Sequence, residues 1–308
     1  MNNTTRDDYA LNNWMSATPA IDNLSLGELT LPGTHNAGCD WQASYALIPG
    51  AHWLACQHDS FAAQLNNGSR ALDLRLDFDG AAPEFEKFRF QHNGYRSSRN
   101  LLALFAAVNL FLRDNPDEFV ILDFHQLKDG QQSFDYALFS EMMLRYLGER
   151  IIPTGNRGLP LGELKKISGK QRVLVTAQQH PELNPAWFCE KIEHKWSGIG
   201  DTNVKELEQH ITNVLRSPPP RTRLWSLSAT SYSKAGGPVD IHDELDNWFD
   251  PATHNRSERC NIINVDFMEE SQLVAYCRSA SLINARRARI VAKAEKVPVR
   301  LRNIDNWH

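Results

Sequence analysis

The sequence predicts an α/β fold, a single (β/α) TIM-type barrel that is distorted or incompletely closed. Three observations carry this. Short apolar segments alternate with helical ones, the pattern of a parallel sheet with crossover helices. EFVILDF (118–124) and RVLVTA (172–177) are nearly continuous apolar runs, as expected of strands covered on both faces. Several strands end in polar clusters, which is how a barrel mouth is furnished.

Taken in order, residues 6–17 carry Tyr9, Leu11 and Trp14 and read as a short helix capping one barrel end. A strand runs to His35 and stops at the Pro32-Gly33 and Thr34-His35-Asn36 cluster. SFAAQLNNG (60–68) reads as a helix with an Asn-Gly stop. In 70–78, Ala71, Leu72, Leu74, Leu76 and Phe78 are interleaved with Asp73, Arg75 and Asp77, so one face of this strand is charged. That face is either solvated or turned into the barrel. Phe88 and Phe90 lead to Gln91-His92-Asn93-Gly94, where a turn ends the strand. A helix follows over 98–114, with Ser98 as N-cap and Leu101, Leu104, Phe105, Val108 and Leu112 as its core stripe. Helices are expected again over 134–148, 203–216, 241–250 and 269–286, and GLPLGELKKISGK reads as a connection. Strands are expected over 223–230, with Ser226 and Ser228 on one side, and over 260–267. The segment 180–201 has no clear pattern. The whole, 1–308, is expected to be one domain, with 1–20 as an N-terminal cap and 287–308 as a basic tail.

Net charge is −4, which argues against a general nucleic-acid binder. No run reaches the ~18–20 apolar residues of a spanning helix, and the polar N-terminus lacks a secretory core. These features predict a cytoplasmic protein, or one exported without a classical signal. The five cysteines, Cys39, Cys56, Cys189, Cys260 and Cys277, lack metal-type spacing and are expected to be free thiols. A Cys39–Cys56 bridge is the alternative.

Two histidines at strand ends, with an Asp and an Arg between them in sequence, suit phosphodiester cleavage by an internal hydroxyl. One imidazole takes a proton as the other gives one back. An arginine fork holds the phosphate, and a carboxylate fixes a histidine tautomer.

The pieces LPGTHNAG, GSRALDLRLDFDG, FQHNG, DEFVILDFHQLK and NIINVDF, in that order and spacing, resemble the X-domain family of phosphatidylinositol-specific phospholipases C, in its bacterial, metal-independent form. The likeness covers roughly 25–130 and 255–270. It implies a lyase that releases diacylglycerol and inositol 1,2-cyclic phosphate from phosphatidylinositol or a glycosylated version. His35 matches the general base, His92 the general acid, and Asp266 the carboxylate that orients His35. Asp73 matches an acidic position. Arg75 stands where metal-dependent members carry a calcium ligand, so no cofactor is expected, with calcium as the disfavoured alternative. Asn36 departs from the metal-independent pattern, which carries Asp there. His125 sits near another calcium-ligand position and is not a carboxylate. Asn36, Lys128, Gln178, Ser226, Ser228 and Tyr232 lie where the family binds inositol hydroxyls, and Arg96 and Arg99 are within a loop that could meet phosphate.

The expected partner is membrane lipid at an interface, with no nucleic acid and a monomer favoured. The apolar stretch 45–55, with Leu47, Ile48, Trp53 and Leu54, is a candidate for the lipid-facing loop. Two other readings stand beside the lyase: a non-hydrolysing phosphoinositide- or sugar-phosphate-binding module, and a metal-dependent glycerophosphodiesterase-like barrel.

Overall fold

The computed structural model describes residues 9–45, 50–130, 132–198, 201–233 and 235–295. Leu47, Ile48, the first eight residues and the basic segment 296–308 lie outside them. The strands, in chain order, are β1 (Leu31–Thr34), β2 (Ala71–Phe78), β3 (Phe88–His92), β4 (Tyr95–Asn100), β5 (Val120–Lys128), β6 (Val173–Ala177), β7 (Cys189–Glu190), β8 (Glu193–Lys195), β9 (Trp225–Ser228), β10 (Ser231–Ser233), β11 (Gly237–Val239) and β12 (Ile262–Val265). The helices are α1 (Ala51–Leu54), α2 (Phe61–Asn66), α3 (Leu101–Asp114), α4 (Tyr136–Leu147), α5 (Leu161–Ile167), α6 (Val204–Arg216), α7 (His242–Phe249) and α8 (Leu273–Glu295). Among the described residues no helix is long and apolar enough to cross a membrane.

Eight strands form one parallel path, β7-β6-β5-β2-β1-β12-β9-β8. Its two ends are consecutive in the chain. Cys189–Glu190 pairs with β6, and Glu193–Lys195 pairs with β9. The path therefore curls into a distorted TIM-type barrel whose seam is one chain segment paired on either side at different heights. No regular period can develop in two strands of two and three residues, which is why 180–201 is unreadable in sequence.

The charged face of β2 turns inward. Leu72, Leu74, Leu76 and Phe78 join Phe61, Leu65, Leu104, Phe105 and Val108 in an apolar layer between β2 and helices α2 and α3. This leaves Asp73 and Arg75 for the barrel interior. That interior is layered by register. Ala71, Ile121 and Leu174 form an apolar row, and two residues further along Asp73, Asp123 and Thr176 form a polar one. Register also sets His194 beside Ser226 and Ser228 beside Asn264. The polar row is the floor of the mouth.

Four local expectations change. YRSSRN is strand β4, antiparallel to β3, and α3 is capped not by Ser98 but by Asn100, whose side chain accepts from the Ala103 amide. GLPLGELKKISGK contains helix α5, and α8 continues to Glu295. Trp14 is fully buried, its indole donating to the Gly68 carbonyl at 3.0 Å. A buried ion pair fixes this N-terminal segment. Arg70 Nη2 lies 2.6 Å from Glu118 Oε2, and Glu118 also accepts the Met15 and Ser16 amides.

Candidate active site

His35 and Asp266 leave adjacent parallel strands at the same level. β1 and β12 pair with Thr34 opposite Val265, so the next residue of each stands at the mouth. His35 Nδ1 is 2.7 Å from Asp266 Oδ1. The carboxylate accepts from Nδ1–H, which leaves the Nε2 lone pair free to take a proton. The turn carrying His35 packs tightly: a Cβ on Gly38 would stand 2.2 Å from the Phe90 ring, so only glycine fits there. Asn36 follows in the left-handed region at φ 43°.

His92 reaches the mouth by a different route from the one the sequence suggested. It does not end a parallel barrel strand. β2 runs on past the end of β1, still paired with β5, and β3 returns antiparallel along it, with Phe88 opposite Phe78 and Phe90 opposite Leu76. His92 Nδ1 lies 2.8 Å from the Leu54 carbonyl. A carbonyl only accepts, so Nδ1 carries the proton and Nε2 is the atom left for proton transfer. Burial, the neighbouring His35 and Arg75 lower the His92 pKa to about 4, against the bond to Leu54, which raises it. The two imidazoles meet edge to face with ring centroids 6.2 Å apart.

Arg75 is bound to Asp73 through two bonds, Nη2–Oδ2 at 2.8 Å and Nε–Oδ1 at 3.2 Å. Nη1 stays outside the pair. Burial alone would raise the Asp73 pKa. Arg75, with His125 and His194, outweighs it and holds the carboxyl well below its usual range. Asp73 also receives the Asn36 amide and the Asn264 side chain at 3.3 and 3.4 Å.

Five groups named from the sequence therefore converge: His35, Asp73, Arg75, His92 and Asp266. Asn36 is fully buried beside them, and neither atom of its side-chain amide has a hydrogen-bond partner. Ser226 and Ser228 are buried on β9, their hydroxyls also without partners. The Tyr232 ring lies 6.4 Å from His92. Lys128 is exposed at the end of β5, opposite Asp77. Gln178 is exposed after β6 and lines a separate cavity of about 390 Å³ with His180, Leu183 and Phe188. Arg96 and Arg99 are not free for phosphate: Arg96 is held by Asp77 and Asp79, and Arg99 by both oxygens of Asp40. Leu54 is buried, and Trp53 is half-buried with its indole donating to the Ala235 carbonyl at 3.1 Å. The five cysteines are free and buried, so Cys39 and Cys56 form no bridge. Cys56 Sγ is 3.6 Å from His92 Nδ1, and burial raises its thiol pKa, which keeps it neutral.

Sequence reasoning missed Trp196 and His194. Trp196 stands between His35 and Arg75, 5.3 Å from the His35 ring, with the Arg75 guanidinium 5.1 Å from its ring centre and the His194 ring stacked at 5.4 Å. His194 Nε2 lies 2.6 Å from Asp123 Oδ2, forming a second Asp–His pair in the same mouth. Both residues come from the seam, and the only signal available was an EHKW run whose strand is too short to show a period.

Comparison with known proteins agrees with the motif resemblance, although no family model matches the chain. The mouse PI-PLC X domain-containing protein 3 is 26% identical over 170 residues, covering 48% of this chain and 52% of that protein. The Trypanosoma cruzi variant-surface-glycoprotein phospholipase C is 32% identical over 178 residues, covering 54% and 43%. The Listeria monocytogenes 1-phosphatidylinositol phosphodiesterase is 23% identical over 184 residues, covering 58% and 52%. The chain thus spans about half the length of the curated relatives it matches. Among solved structures, the phosphatidylinositol-specific phospholipase C of Listeria monocytogenes superposes with a TM-score of 0.65 at 17% identity, over 88% of this chain and 99% of that one. A Staphylococcus aureus phosphatidylinositol-specific phospholipase C, solved in work on its membrane binding, gives 0.59 at 14%, over 90% and 97%. These superpositions establish the fold.

Proposed function

We propose that this chain, a relative of the phosphatidylinositol-specific phospholipases C with their barrel fold, is a phospholipase C-type lyase. Its substrate would be phosphatidylinositol or a glycosyl-phosphatidylinositol in a membrane surface, and its products diacylglycerol and inositol 1,2-cyclic phosphate. The observation that carries this is the Asp266-oriented His35 facing His92 beside Arg75 in one mouth.

In this reading His35 Nε2 takes the proton of the inositol 2-hydroxyl as its oxygen attacks phosphorus. The bond from phosphorus to the diacylglycerol oxygen breaks, and His92, protonated on both ring nitrogens once the anionic phosphate lies beside it, gives that oxygen its Nε2 proton. Arg75 Nη1 supports the charge on the non-bridging oxygens. Asp73 fixes the guanidinium plane. The unpaired hydroxyls of Ser226 and Ser228 and the Asn36 amide suit a polyhydroxylated ring, because a buried polar atom without a partner is costly until a ligand supplies one.

The reading includes no calcium requirement. Asn36 would suit a calcium site, but the remaining donors do not: Asp73 is taken by Arg75, a guanidinium repels a divalent cation, and His125 is a nitrogen donor where calcium prefers oxygen. The same pairing weighs against a metal-dependent glycerophosphodiesterase-like mechanism.

Phosphorus NMR of phosphatidylinositol vesicles incubated with the protein, in EDTA and again with excess calcium, tests the proposal. The expected product in both is the cyclic phosphodiester. A phosphomonoester formed directly, or no turnover, would sink the lyase reading.

A further inference from the structure

We propose that Asp123, His125 and His194 form a binding site for a divalent transition ion of the zinc type. The juxtaposition follows from the strands. Asp123 and His125 both belong to β5, and His194 to β8 across the seam. Between the Asp73–Asp123 and Arg75–Gln126 pairs β5 carries one residue more than β2. Such a bulge re-aims a side chain locally, and His125 lies within it. One donor atom from each of the three residues lies within 4.8 Å of the others. The imidazole centroids of His125 and His194 are 4.0 Å apart.

Three features suit an ion. Asp123 Oδ1 accepts from the Thr176 hydroxyl at 2.9 Å, which orients the carboxylate as supporting hydrogen bonds do around metal sites. The Nδ1 atom of His125 is buried with no hydrogen-bond partner, a nitrogen whose need an ion would meet. Two imidazole nitrogens and one carboxylate oxygen are the donor set of zinc and its neighbours rather than of calcium or magnesium. The 2.6 Å contact of His194 Nε2 with Asp123 Oδ2 is a hydrogen bond. Donors held at roughly 2.0–2.2 Å from an ion would open it to about 3 Å, a shift of tenths of an ångström. If Nε2 is the ligating atom, the ring proton resides on Nδ1. Three protein donors leave a four-coordinate ion one position for water or a ligand hydroxyl.

This site shares the mouth with Arg75 but is built from other residues, and it does not rest on the lyase reading. A second cluster, His35, Cys56 and Asp266, also offers three donors, so the experiment must tell the two apart. Titration of the full chain with Co²⁺, followed by its visible ligand-field absorption and by calorimetry, is the test. One ion per chain is expected, displaced by Zn²⁺ and not by excess Ca²⁺. His194→Ala and His125→Ala should each weaken binding by tenfold or more, with melting temperature and circular dichroism checking the fold. Asp123→Asn, which keeps a hydrogen-bonding amide, should weaken it as well. Cys56→Ser should leave binding intact. Absence of stoichiometric binding at micromolar free Co²⁺ overturns the proposal. So does binding that survives His194→Ala and His125→Ala but disappears with Cys56→Ser.

Discussion

His35 and Asp266 are 231 residues apart in sequence and 2.7 Å apart in space. The contact is set by the parallel register of β1 and β12, which brings Thr34 opposite Val265 and leaves both side chains at the mouth. A geometry fixed by two strands is a rigid platform for proton transfer.

The first prediction concerns the two histidines. His35→Ala and His92→Ala should each lower turnover by roughly 10²–10⁴ while the fold survives, the usual scale of general acid–base help. Asp266→Asn should cost less in stability than in rate, since an amide can hold His35 in the wrong tautomer. Free His92 is held neutral, its pKa lowered to about 4 mainly by burial. An anionic inositol phosphate bound in the mouth should raise that value, read from the imidazole proton resonances with and without ligand. A variant that keeps the wild-type rate would return its histidine to a structural role.

Arg75 decides between two kinds of charge stabilisation. Turnover should be the same in EDTA and in excess calcium, and Arg75→Lys should lose most of it. A point ammonium cannot both hold Asp73 through two bonds and reach a phosphate oxygen. Activity that vanishes with EDTA and returns with calcium would make Arg75 only the structural partner of Asp73.

Stability should fall with acid before the carboxylates titrate. Burial, ahead of other causes, lowers His92 to about 4 and His125 to about 3, below the ordinary 6.5. Between those values the unfolded chain binds more protons than the folded one, so stability is complete above about 6.5 and falls as pH drops toward 4. Calorimetric melting across that window should show the slope, and His125→Asn should flatten it. A slope identical in the variant would assign the acid sensitivity to other groups.

The Arg70–Glu118 pair supports the barrel from the end opposite the mouth. Both side chains are fully buried, and Glu118 also holds the Met15 and Ser16 amides. Glu118→Ala should therefore destabilise the fold by about 3–5 kcal/mol, because it leaves an uncompensated buried guanidinium. Replacing both residues with apolar ones of similar volume should cost less. Chemical denaturation of the single and double variants measures the difference.

The sequence by itself determined the barrel and the five groups at its mouth. Local pattern is enough for the alternating strands and helices, and the motif resemblance supplies the five groups. β2, β5 and β6 are long enough for apolar periodicity to appear, and the motif words carry His35, Asp73, Arg75, His92 and Asp266 at their ends. Whether Asp73 and Arg75 face solvent or the barrel interior stayed open in sequence, and the helix layer on Leu72, Leu74 and Leu76 decides it. Only the tertiary structure decided what lies between those groups. The seam strands are two and three residues long, so they hold their place through pairing with β6 and β9 rather than through any pattern of their own. Trp196 and His194 enter the site from that seam, and Asp123 becomes a partner of His194 only when the path curls round. Partner choice among charges was equally invisible. Arg96 and Arg99 look the same as Arg75 in sequence, yet the return of β3 and β4 along β2 gives them to Asp77, Asp79 and Asp40, while Arg75 keeps one nitrogen outside its pair with Asp73. Sequence spacing fixes which residues share a face of one strand; contacts between strands depend on register and curvature, which exist only in the folded chain.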